Sequence, residues 1–368
     1  MKHLSKFIVF LMVVCFGMSA YADSYRVLML GDTHFDTDKE VYHSACYANG
    51  RKPSKTLQEE FARNASMWKE RCPKLVASAY SKKTPNTSFV LQLGDLIQGD
   101  CDDPAVHTKM LGDTIDYFKK AMPGLPFLTV VGNHDIRGKD ASPAYSNFMP
   151  ARMTQELNLP QINAGVDLKK TTFAFRHKED LYVFVNFCYP NDKIIKEAFA
   201  QHADARYKFV ITHGAVLPWD AWGVTYGLYG GKVNKRRDEM RKIFAENNVI
   251  VLTGHVHAVG YCKYVDEFGS ITQFMLNSVW KEDSPRELNV IATKPEDIGS
   301  NVKNIYGKKV NELNTYLSVL DSFKSGITEY FFAKGATGYA TMDVSDDAVE
   351  VTFYSCDSRE PAKTFKLR

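Results

Sequence analysis

Three features are missing from this sequence or scarce in it, and each absence argues against a class of protein. Beyond its first 18 residues, the 368-residue chain has no apolar run approaching the ~20 residues that a membrane-spanning helix needs. It contains no CxxC pair, which argues against a metal site built from thiolates. Charge of one sign is also scarce, since the formal net charge is only +3. The sequence therefore offers no general electrostatic basis for binding nucleic acid or an anionic membrane.

The first 22 residues have the features of a secretory signal peptide. Lys2 and Lys6 precede an apolar run from Phe7 to Met18, and small residues follow as far as Ala22. We expect cleavage after Ala22 and a secreted or periplasmic mature protein with no stable membrane span; an uncleaved N-terminal anchor is the alternative. Loss of the two lysines would lower the formal net charge from +3 to +1.

Cysteine number favours disulfides in an exported chain. Of seven cysteines, Cys15 lies in the signal peptide, and six remain: Cys46, Cys72, Cys101, Cys188, Cys262 and Cys356. An even number of cysteines is typical of disulfide-bonded secreted proteins. Six cysteines allow fifteen pairings, and the sequence does not choose among them.

The fold class follows from five short apolar runs that alternate with helical patterns. The runs are rich in Val, Ile, Leu and Phe and occupy residues 26–30, 89–93, 127–131, 208–212 and 249–253. Their continuous apolarity is typical of strands covered on both faces. Helical patterns occupy 57–80, 107–121 and 235–247, and a hairpin is predicted from 172–176 and 181–187. This order predicts an α/β layered sandwich.

The chain divides into three parts on these patterns. Residues 1–22 are the signal peptide, residues 23–275 form the core, and residues 276–368 form a C-terminal segment. We predict that the end of this segment, 338–368, supplies two closing strands to the core. The weakly patterned stretch before it includes a predicted helix at 300–324 and forms a small lobe or a cap over the site.

Each of the five apolar runs ends in a short polar motif. The motifs are GDTH at 31–34, GD at 94–95, GNHD at 132–135, THG at 212–214 and GHVH at 254–257. Ligands of open α/β sheets bind at the carboxyl ends of the strands, so five separate stretches deliver polar residues to one place. The neighbouring glycines allow the backbone to turn sharply there.

In this order, the motifs resemble the calcineurin-like metallophosphoesterase superfamily. They extend from Asp32 to His257, and their specificity lies in the set, because each fragment alone is common. The resemblance implies a sandwich of two mixed β-sheets flanked by helices. Together with the signal peptide, it implies a secreted dinuclear-metal phosphoesterase that hydrolyses a phosphomonoester or phosphodiester through a metal-bridging hydroxide.

The resemblance further implies that seven side chains hold two divalent or trivalent metal ions: Asp32, His34 and His257 at one, Asn133, His213 and His255 at the other, and Asp95 bridging both. Two neighbouring cations repel each other, so a shared carboxylate between them is physically reasonable. Mixed carboxylate, amide and imidazole donors favour Mn, Fe or Zn over Ca or Mg.

The GNHD motif also supplies the expected catalytic residues. In similar enzymes, the histidine at the position of His134 contacts the phosphoryl group or protonates the leaving oxygen, and Asp135 is expected to hold its ring and keep it cationic. Purple acid phosphatases, a branch of the same superfamily, have a metal-binding Tyr three residues after the bridging Asp. Gln98 occupies that position here, so we expect no iron–tyrosinate site.

Candidate substrate contacts lie beside these motifs. Arg137 is a candidate phosphate clamp. Trp219, Trp222 and Tyr226 lie on a glycine-containing stretch after His213, where they either stack on a base or sugar or pack the loop down. The acidic stretch 99–103 is either a solvated loop or an additional metal contact.

The sequence does not encode which small phosphate ester is the substrate, nor the oligomeric state. Two other functions are alternatives. A catalytically silent metal-binding scaffold of the same fold would lack some of the ligands, and none is missing. A nuclease would show a basic stripe, which the near-neutral charge does not favour, so no nucleic-acid partner is expected.

Overall fold

The computed structural model describes residues 24–157, 171–217, 235–298 and 319–368. The strands in these ranges are β1 (Tyr25–Leu30), β2 (Thr87–Gln92), β3 (Phe127–Thr129), β4 (Phe173–His177), β5 (Asp180–Val185), β6 (Lys208–Thr212), β7 (Ile250–Thr253), β8 (Ala258–Asp266), β9 (Gly269–Met275), β10 (Val290–Ala292), β11 (Ile327–Lys334), β12 (Gly338–Val344), β13 (Val349–Ser355) and β14 (Lys363–Lys366). The α-helices are α1 (Lys39–Tyr42), α2 (Lys55–Glu70), α3 (Cys72–Tyr80), α4 (Pro104–Ala121), α5 (Ala141–Leu157), α6 (Asp192–Gln201) and α7 (Lys235–Glu246), and residues 319–324 are also helical. Short 3-10 helices occupy Ser44–Gly50, His134–Ile136 and Pro295–Asp297.

The strands form two mixed sheets, each of which joins parallel core strands to antiparallel C-terminal ones. The first has the order β14-β13-β12-β1-β2-β3, in which β1, β2 and β3 are parallel and β12 is antiparallel to β1. The second has the order β10-β11-β8-β9-β7-β6-β5-β4, in which β5, β6, β7 and β9 are parallel. Strands β4 and β5 form the predicted antiparallel hairpin.

The sheets pack on each other through aromatic side chains, and helices cover their outer faces. Phe89 of β2 contacts Tyr182 of β5, with ring centroids 5.4 Å apart. On the outside of the first sheet, Phe118 of α4 stacks on Phe127 of β3 at 4.6 Å. Phe244 of α7 is fully buried in the second core cluster, with side chains of the second sheet. The predicted α/β layered sandwich of two mixed sheets is confirmed.

Some local predictions differ from the structure. The predicted helix at 57–80 is two helices, α2 and α3, which separate at Arg71 just before Pro73, because proline cannot continue the hydrogen-bond ladder of the preceding helix. The tail contains a third strand, β14, beyond the two predicted. Of the predicted helix at 300–324, residues 319–324 are helical and the part before 319 lies outside the described residues.

The predicted disulfides are absent. All six cysteines, each of which lies in a described range, are free, and five of them are buried: Cys46, Cys72, Cys101, Cys262 and Cys356. Not all of the thiols lie far apart, since Cys46 Sγ donates at 2.9 Å to the carbonyl of Asp100, the residue before Cys101. Cys262 belongs to the core cluster of the second sheet, whereas Cys356 belongs to the cluster that joins the two sheets.

The signal peptide prediction falls on residues that the structure does not describe. Among the described residues, no helix has the length and apolarity needed to cross a bilayer.

Candidate metal centre

The predicted metal ligands follow strands of both sheets. Asp32 and His34 follow β1, Asp95 follows β2, Asn133 follows β3, His213 follows β6, and His255 and His257 follow β7. The two sheets meet at this edge, because His213 Nδ1 lies 2.8 Å from the Leu93 carbonyl oxygen and Asp32 forms an isolated parallel bridge with Asn277. The structure thus brings the five motifs to one place.

One group of ligand atoms comes from Asp32, His34, Asp95 and His257, and these atoms all lie within 4.8 Å of one another. The Nε2 atoms of His34 and His257 are 3.2 Å apart. The distance from His34 Nε2 to Asp95 Oδ2 is 3.6 Å, and that from His257 Nε2 to Asp32 Oδ1 is 3.9 Å. Two carboxylates and two imidazoles therefore converge on one point.

A second group comes from Asp95, His213 and His255. His213 Nε2 lies 3.1 Å from Asp95 Oδ2 and 3.1 Å from His255 Nδ1. Asp95 is the member common to both groups, and its other oxygen, Oδ1, accepts from the His134 backbone N–H at 2.8 Å. The shared carboxylate has the arrangement that a pair of neighbouring cations requires.

The residues fit a pair of metal ions, because several polar atoms in the cluster lack a partner within the described protein. Asn133 Oδ1 is buried and accepts no hydrogen bond. In each facing pair of imidazole nitrogens, at most one can donate to the other when both rings are neutral. A bound cation would instead take both lone pairs, and the oxygen of Asn133 is of the right type for the second group.

Electrostatics in the cluster are unbalanced without a cation. Burial lowers the pKa of His255 and His257 to about 3, so both rings are neutral at pH 7 and keep a lone pair for a metal. Burial raises the pKa of Asp32 to about 7. Burial also lowers the pKa of His213, but the charges of Asp95 and Asp32 outweigh this effect and raise it to about 9. A proton on His213 thus partly supplies the positive charge that a metal ion would bring.

Four of the predicted ligands have a left-handed backbone, which is uncommon for residues with a side chain. They are His34 (φ 43°), Asp95 (φ 51°), His255 (φ 76°) and His257 (φ 53°). Such conformations cost about 1–3 kcal/mol each and cluster at functional sites. Gly94, with φ 90°, precedes Asp95, and a Cβ there would lie 2.6 Å from the His213 ring. Glycine is therefore required at position 94 for the loop after β2 to meet the loop after β6.

Sequence reasoning missed two buried residues that hold the ligand loops. Gln92 donates to the carbonyls of Gly31 at 3.0 Å and Gly94 at 2.7 Å, so it connects the loops after β1 and β2. Trp68 on α2 donates from Nε1 to the carbonyls of Thr33 and His34, both at 3.0 Å. No local pattern marks either residue, because the polar side chain of Gln92 falls in a strand and Trp68 falls in an amphipathic helix.

The predicted link between Asp135 and the His134 ring is wrong. Asp135 is fully buried, and its two oxygens accept from the backbone N–H groups of Ile97 at 3.0 Å and Gly132 at 2.7 Å. The His134 Nδ1 atom instead lies 2.9 Å from the Gln98 carbonyl. Nor is the ring kept cationic in the metal-free protein, since burial lowers the His134 pKa below its ordinary value. Asp135 shapes the loop, and the Gln98 carbonyl orients the ring.

Arg137 is not the free phosphate clamp that its position suggested. Its guanidinium donates to Glu60 Oε2 at 2.6 Å and to Asp100 Oδ2 at 2.5 Å, and NH1 lies 3.0 Å from His134 Nε2. The acidic stretch 99–103 is accordingly not simply a solvated loop, because Asp100 pairs with Arg137 and Asp103 caps the start of α4. An additional metal contact stays open as an alternative, since one atom each of Glu60, Asp100 and His134 lie within 4.8 Å of one another.

Of the aromatic candidates, Trp219, Trp222 and Tyr226 lie outside the described residues. A different aromatic residue, Phe187, contacts the cluster: its ring centroid is 5.3 Å from that of His213 and 5.5 Å from that of His255. It lies two residues after the end of β5, and its apolar ring covers one side of the second ligand group.

Comparison with known proteins agrees with this geometry. The sequence model of the calcineurin-like phosphoesterase family matches residues 25–259. No curated protein matches the sequence.

Solved structures resemble the fold at low sequence identity. A dimetal phosphatase from Danio rerio superimposes with a TM-score of 0.52 at 10% identity, over 93% of this chain and 98% of that one. A purple acid phosphatase from yellow lupin (Lupinus luteus) seeds superimposes with a TM-score of 0.51 at 10% identity, over 94% of this chain. This chain covers only 54% of that purple acid phosphatase.

These structural similarities show the fold, whereas the family match covers all five motifs that form the metal centre. From Asp32 to His257, every predicted ligand lies within the matched residues. The chain belongs to the calcineurin-like phosphoesterase family.

Proposed function

We propose that this protein is a dinuclear-metal hydrolase of a small phosphomonoester or phosphodiester. The observation that carries the proposal is the carboxylate of Asp95, which is common to two groups of ligand atoms. Two ions bound there would supply Lewis acidity to the phosphoryl oxygens and would acidify water. The donor set favours Mn, Fe or Zn for these ions.

The protein's own contribution begins with His134. Its ring packs edge-on against His34, with centroids 4.3 Å apart, and so lies at the border of the first ligand group. Because Nδ1 donates to the Gln98 carbonyl, Nε2 is the nitrogen left to exchange a proton with the ester. When protonated, Nε2 would donate to the leaving oxygen, which would displace its contact with Arg137 NH1.

We further propose that the protein acts outside the cytoplasm. The support is the leader at residues 1–22, with Lys2 and Lys6 before the apolar run that ends at Met18. The free cysteines lend it no support. N-terminal sequencing of protein recovered from the extracytoplasmic fraction tests this proposal: a start at Asp23 supports export, and an intact Met1 in the cytoplasm contradicts it.

The activity is tested on the mature chain from Asp23 onward. Bound metals are measured by elemental analysis, and the same sample is assayed on aryl phosphomonoester and phosphodiester substrates, with Mn added or with chelator present. About two metals per chain and hydrolysis that the chelator abolishes are expected. A chain that binds no metal and hydrolyses neither ester after metal is restored would instead be a silent scaffold of this fold.

A further inference from the structure

A third group of atoms of the kinds that bind metal ions lies beside the two groups that share Asp95, and an arginine fills it. The members of this third ligand group are Glu60, Asp100 and His134, and one atom of each lies within 4.8 Å of the others. Arg137 Nε donates to Asp100 Oδ2 at 2.5 Å, and NH2 donates to Glu60 Oε2 at 2.6 Å. Its NH1 lies 3.0 Å from His134 Nε2. Carboxylates and imidazoles are common ligands of Mn and Zn, so a guanidinium occupies a point that suits a metal ion.

The hydrogen bonds of the His134 ring assign a role to each of its nitrogens. Nδ1 lies 2.9 Å from the Gln98 carbonyl, which can only accept, so Nδ1 carries a hydrogen. A guanidinium can only donate, so Nε2 presents its lone pair to Arg137 NH1. The lone pair of a neutral imidazole is also what a metal ion binds. Nε2 is therefore the atom for which Arg137 and a metal ion would compete.

The two carboxylates of the third ligand group are also held by groups other than the guanidinium. Gln98 Nε2 donates to Glu60 Oε2 at 3.1 Å and lies 3.4 Å from Asp100 Oδ2. The Asp100 backbone N–H donates to the Arg137 carbonyl at 2.8 Å, which joins the two loops through their main chains. A variant without the Arg137 side chain would therefore retain a preformed set of ligands, with two negative charges left unbalanced.

The third ligand group lies close enough to the metal centre for this competition to matter. The His134 ring centroid is 4.3 Å from that of His34, and the His134 backbone N–H donates to Asp95 Oδ1 at 2.8 Å. The Arg137 side chain is 32% exposed, so an ion from solution would reach this point if the guanidinium were absent. Coordination of Nε2 would take up its lone pair and prevent proton exchange with the ester.

We propose that Arg137 is a positioning residue that fills the third ligand group with its own charge, so that no metal ion binds His134 Nε2 and this nitrogen stays available for proton exchange. This inference rests on the proposed function, which assigns that exchange to His134. A guanidinium suits the role because it stays charged and is tethered to the chain, so ions in solution cannot displace it from the protein. The hydrogen bond from NH1 can also be given up when the leaving oxygen approaches Nε2.

The first test counts metal ions and does not depend on turnover. The full mature protein, Arg137→Ala and Arg137→Gln are dialysed to equilibrium against excess Mn, and bound metal is measured by elemental analysis. We expect both variants to bind one more ion per chain than the parent protein does. Arg152→Gln is the matched control, because Arg152 pairs with Asp116 at 3.0 Å outside the third ligand group, and it should bind as many ions as the parent.

A double variant tests where the additional ion binds. Asp100→Asn combined with Arg137→Ala removes one carboxylate of the third ligand group, so the metal content should return to that of the parent protein. Equal metal content in the parent and both single variants would overturn the proposal, as would an additional ion that the double variant retains. If Arg137→Ala does not fold, the milder change Arg137→Gln decides the question, because glutamine retains a hydrogen-bond donor.

The second test measures hydrolysis as a function of Mn concentration. In the parent protein, kcat should rise to a plateau. In Arg137→Ala, it should rise and then fall by about 100-fold as Mn fills the third ligand group, because proton transfer by His134 is lost. A plateau in the variant would overturn the proposal. If the parent protein hydrolyses no ester with metal restored, the proposed function fails, and the difference in metal content between parent and variants still decides the role of Arg137.

Discussion

Two buried polar clusters lie at opposite ends of the sheets and differ in how completely their atoms are partnered. At the amino ends of the strands, Asp180 accepts from Tyr25 Oη at 2.8 Å, from Arg206 Nε at 3.0 Å and Arg206 NH2 at 2.7 Å, and from the Tyr207 backbone N–H at 3.1 Å. At the carboxyl ends, imidazole nitrogens face each other and the buried Asn133 Oδ1 has no partner among the described residues. We call the cluster around Asp180 the closed cluster and the cluster of metal ligands around Asp95 the open cluster.

The difference in hydrogen bonding indicates that the first cluster stabilises the fold and that the second is kept for function. A buried carboxylate with all its hydrogen bonds made is costly to disrupt, since removing one partner leaves the other charge uncompensated. A buried cluster with competing charges and left-handed backbone destabilises the metal-free protein and persists where function requires it. Substitutions at the first end should therefore change stability without changing turnover, and those at the second should change metal binding and turnover.

Asp95→Asn tests the open cluster and should have the largest effect. It removes the shared charge, so bound metal and hydrolysis should be lost together. We expect kcat/KM to fall by more than the 10–100-fold that is typical of residues that only orient metal ligands. Elemental analysis and kinetics check this; full metal content in the variant would contradict it.

Asp180→Ala tests the closed cluster. It leaves Arg206 and the Tyr25 hydroxyl without their buried acceptor, so the free energy of unfolding should fall by about 3–5 kcal/mol. Metal content and kcat of the folded fraction should stay unchanged. Asp343→Ala is the matched control, because Asp343 also pairs with an arginine, Arg26, but its side chain is 43% exposed. Ion pairs exposed to solvent contribute about 0–1 kcal/mol to stability. Urea unfolding measures both variants, and equal losses would remove the distinction between the buried and exposed pairs.

His134→Ala separates ligands from the proton donor within the open cluster. Its ring is held by the Gln98 carbonyl and belongs to neither of the two groups that share Asp95. Metal content should therefore be retained while kcat falls by about 100-fold or more, as expected for loss of a general acid. The loss should be smaller on aryl esters, whose leaving groups need less protonation. A variant that loses metal as Asp95→Asn does would show that His134 is a ligand.

The sequence predicted what is locally encoded and failed where partners are distant. Strands β1, β2, β3, β6 and β7 are continuous apolar runs that end in glycine and a polar motif, so their type and the edge where they meet could be inferred. The role of Arg137 could not be inferred, because Glu60, which binds it, lies 77 positions away on a helix. The disulfide prediction failed for a related reason: cysteine number carries no information on which thiols approach each other.

The smallest predicted effect is on the pH dependence of stability, and it comes from His177 beside the closed cluster. His177 packs edge-on against Tyr25 at 4.6 Å, and its Nε2 is 2.9 Å from Ser88 Oγ. Burial lowers its pKa from 6.5 to about 4, so the unfolded chain binds a proton at a higher pH than the folded protein does. The stability from neutral His177 is therefore fully present above pH 6.5 and is lost as the pH falls to about 4.

His177→Gln removes this titration. Melting temperatures of the chelated parent and variant should therefore differ most above pH 6.5, and the difference should shrink towards pH 4. Comparing the two proteins at each pH cancels the titration of the metal-site histidines, which is common to both. A difference that stays constant across this range would mean that His177 binds protons equally in the folded and unfolded states. His177 would then make no contribution to the loss of stability in acid.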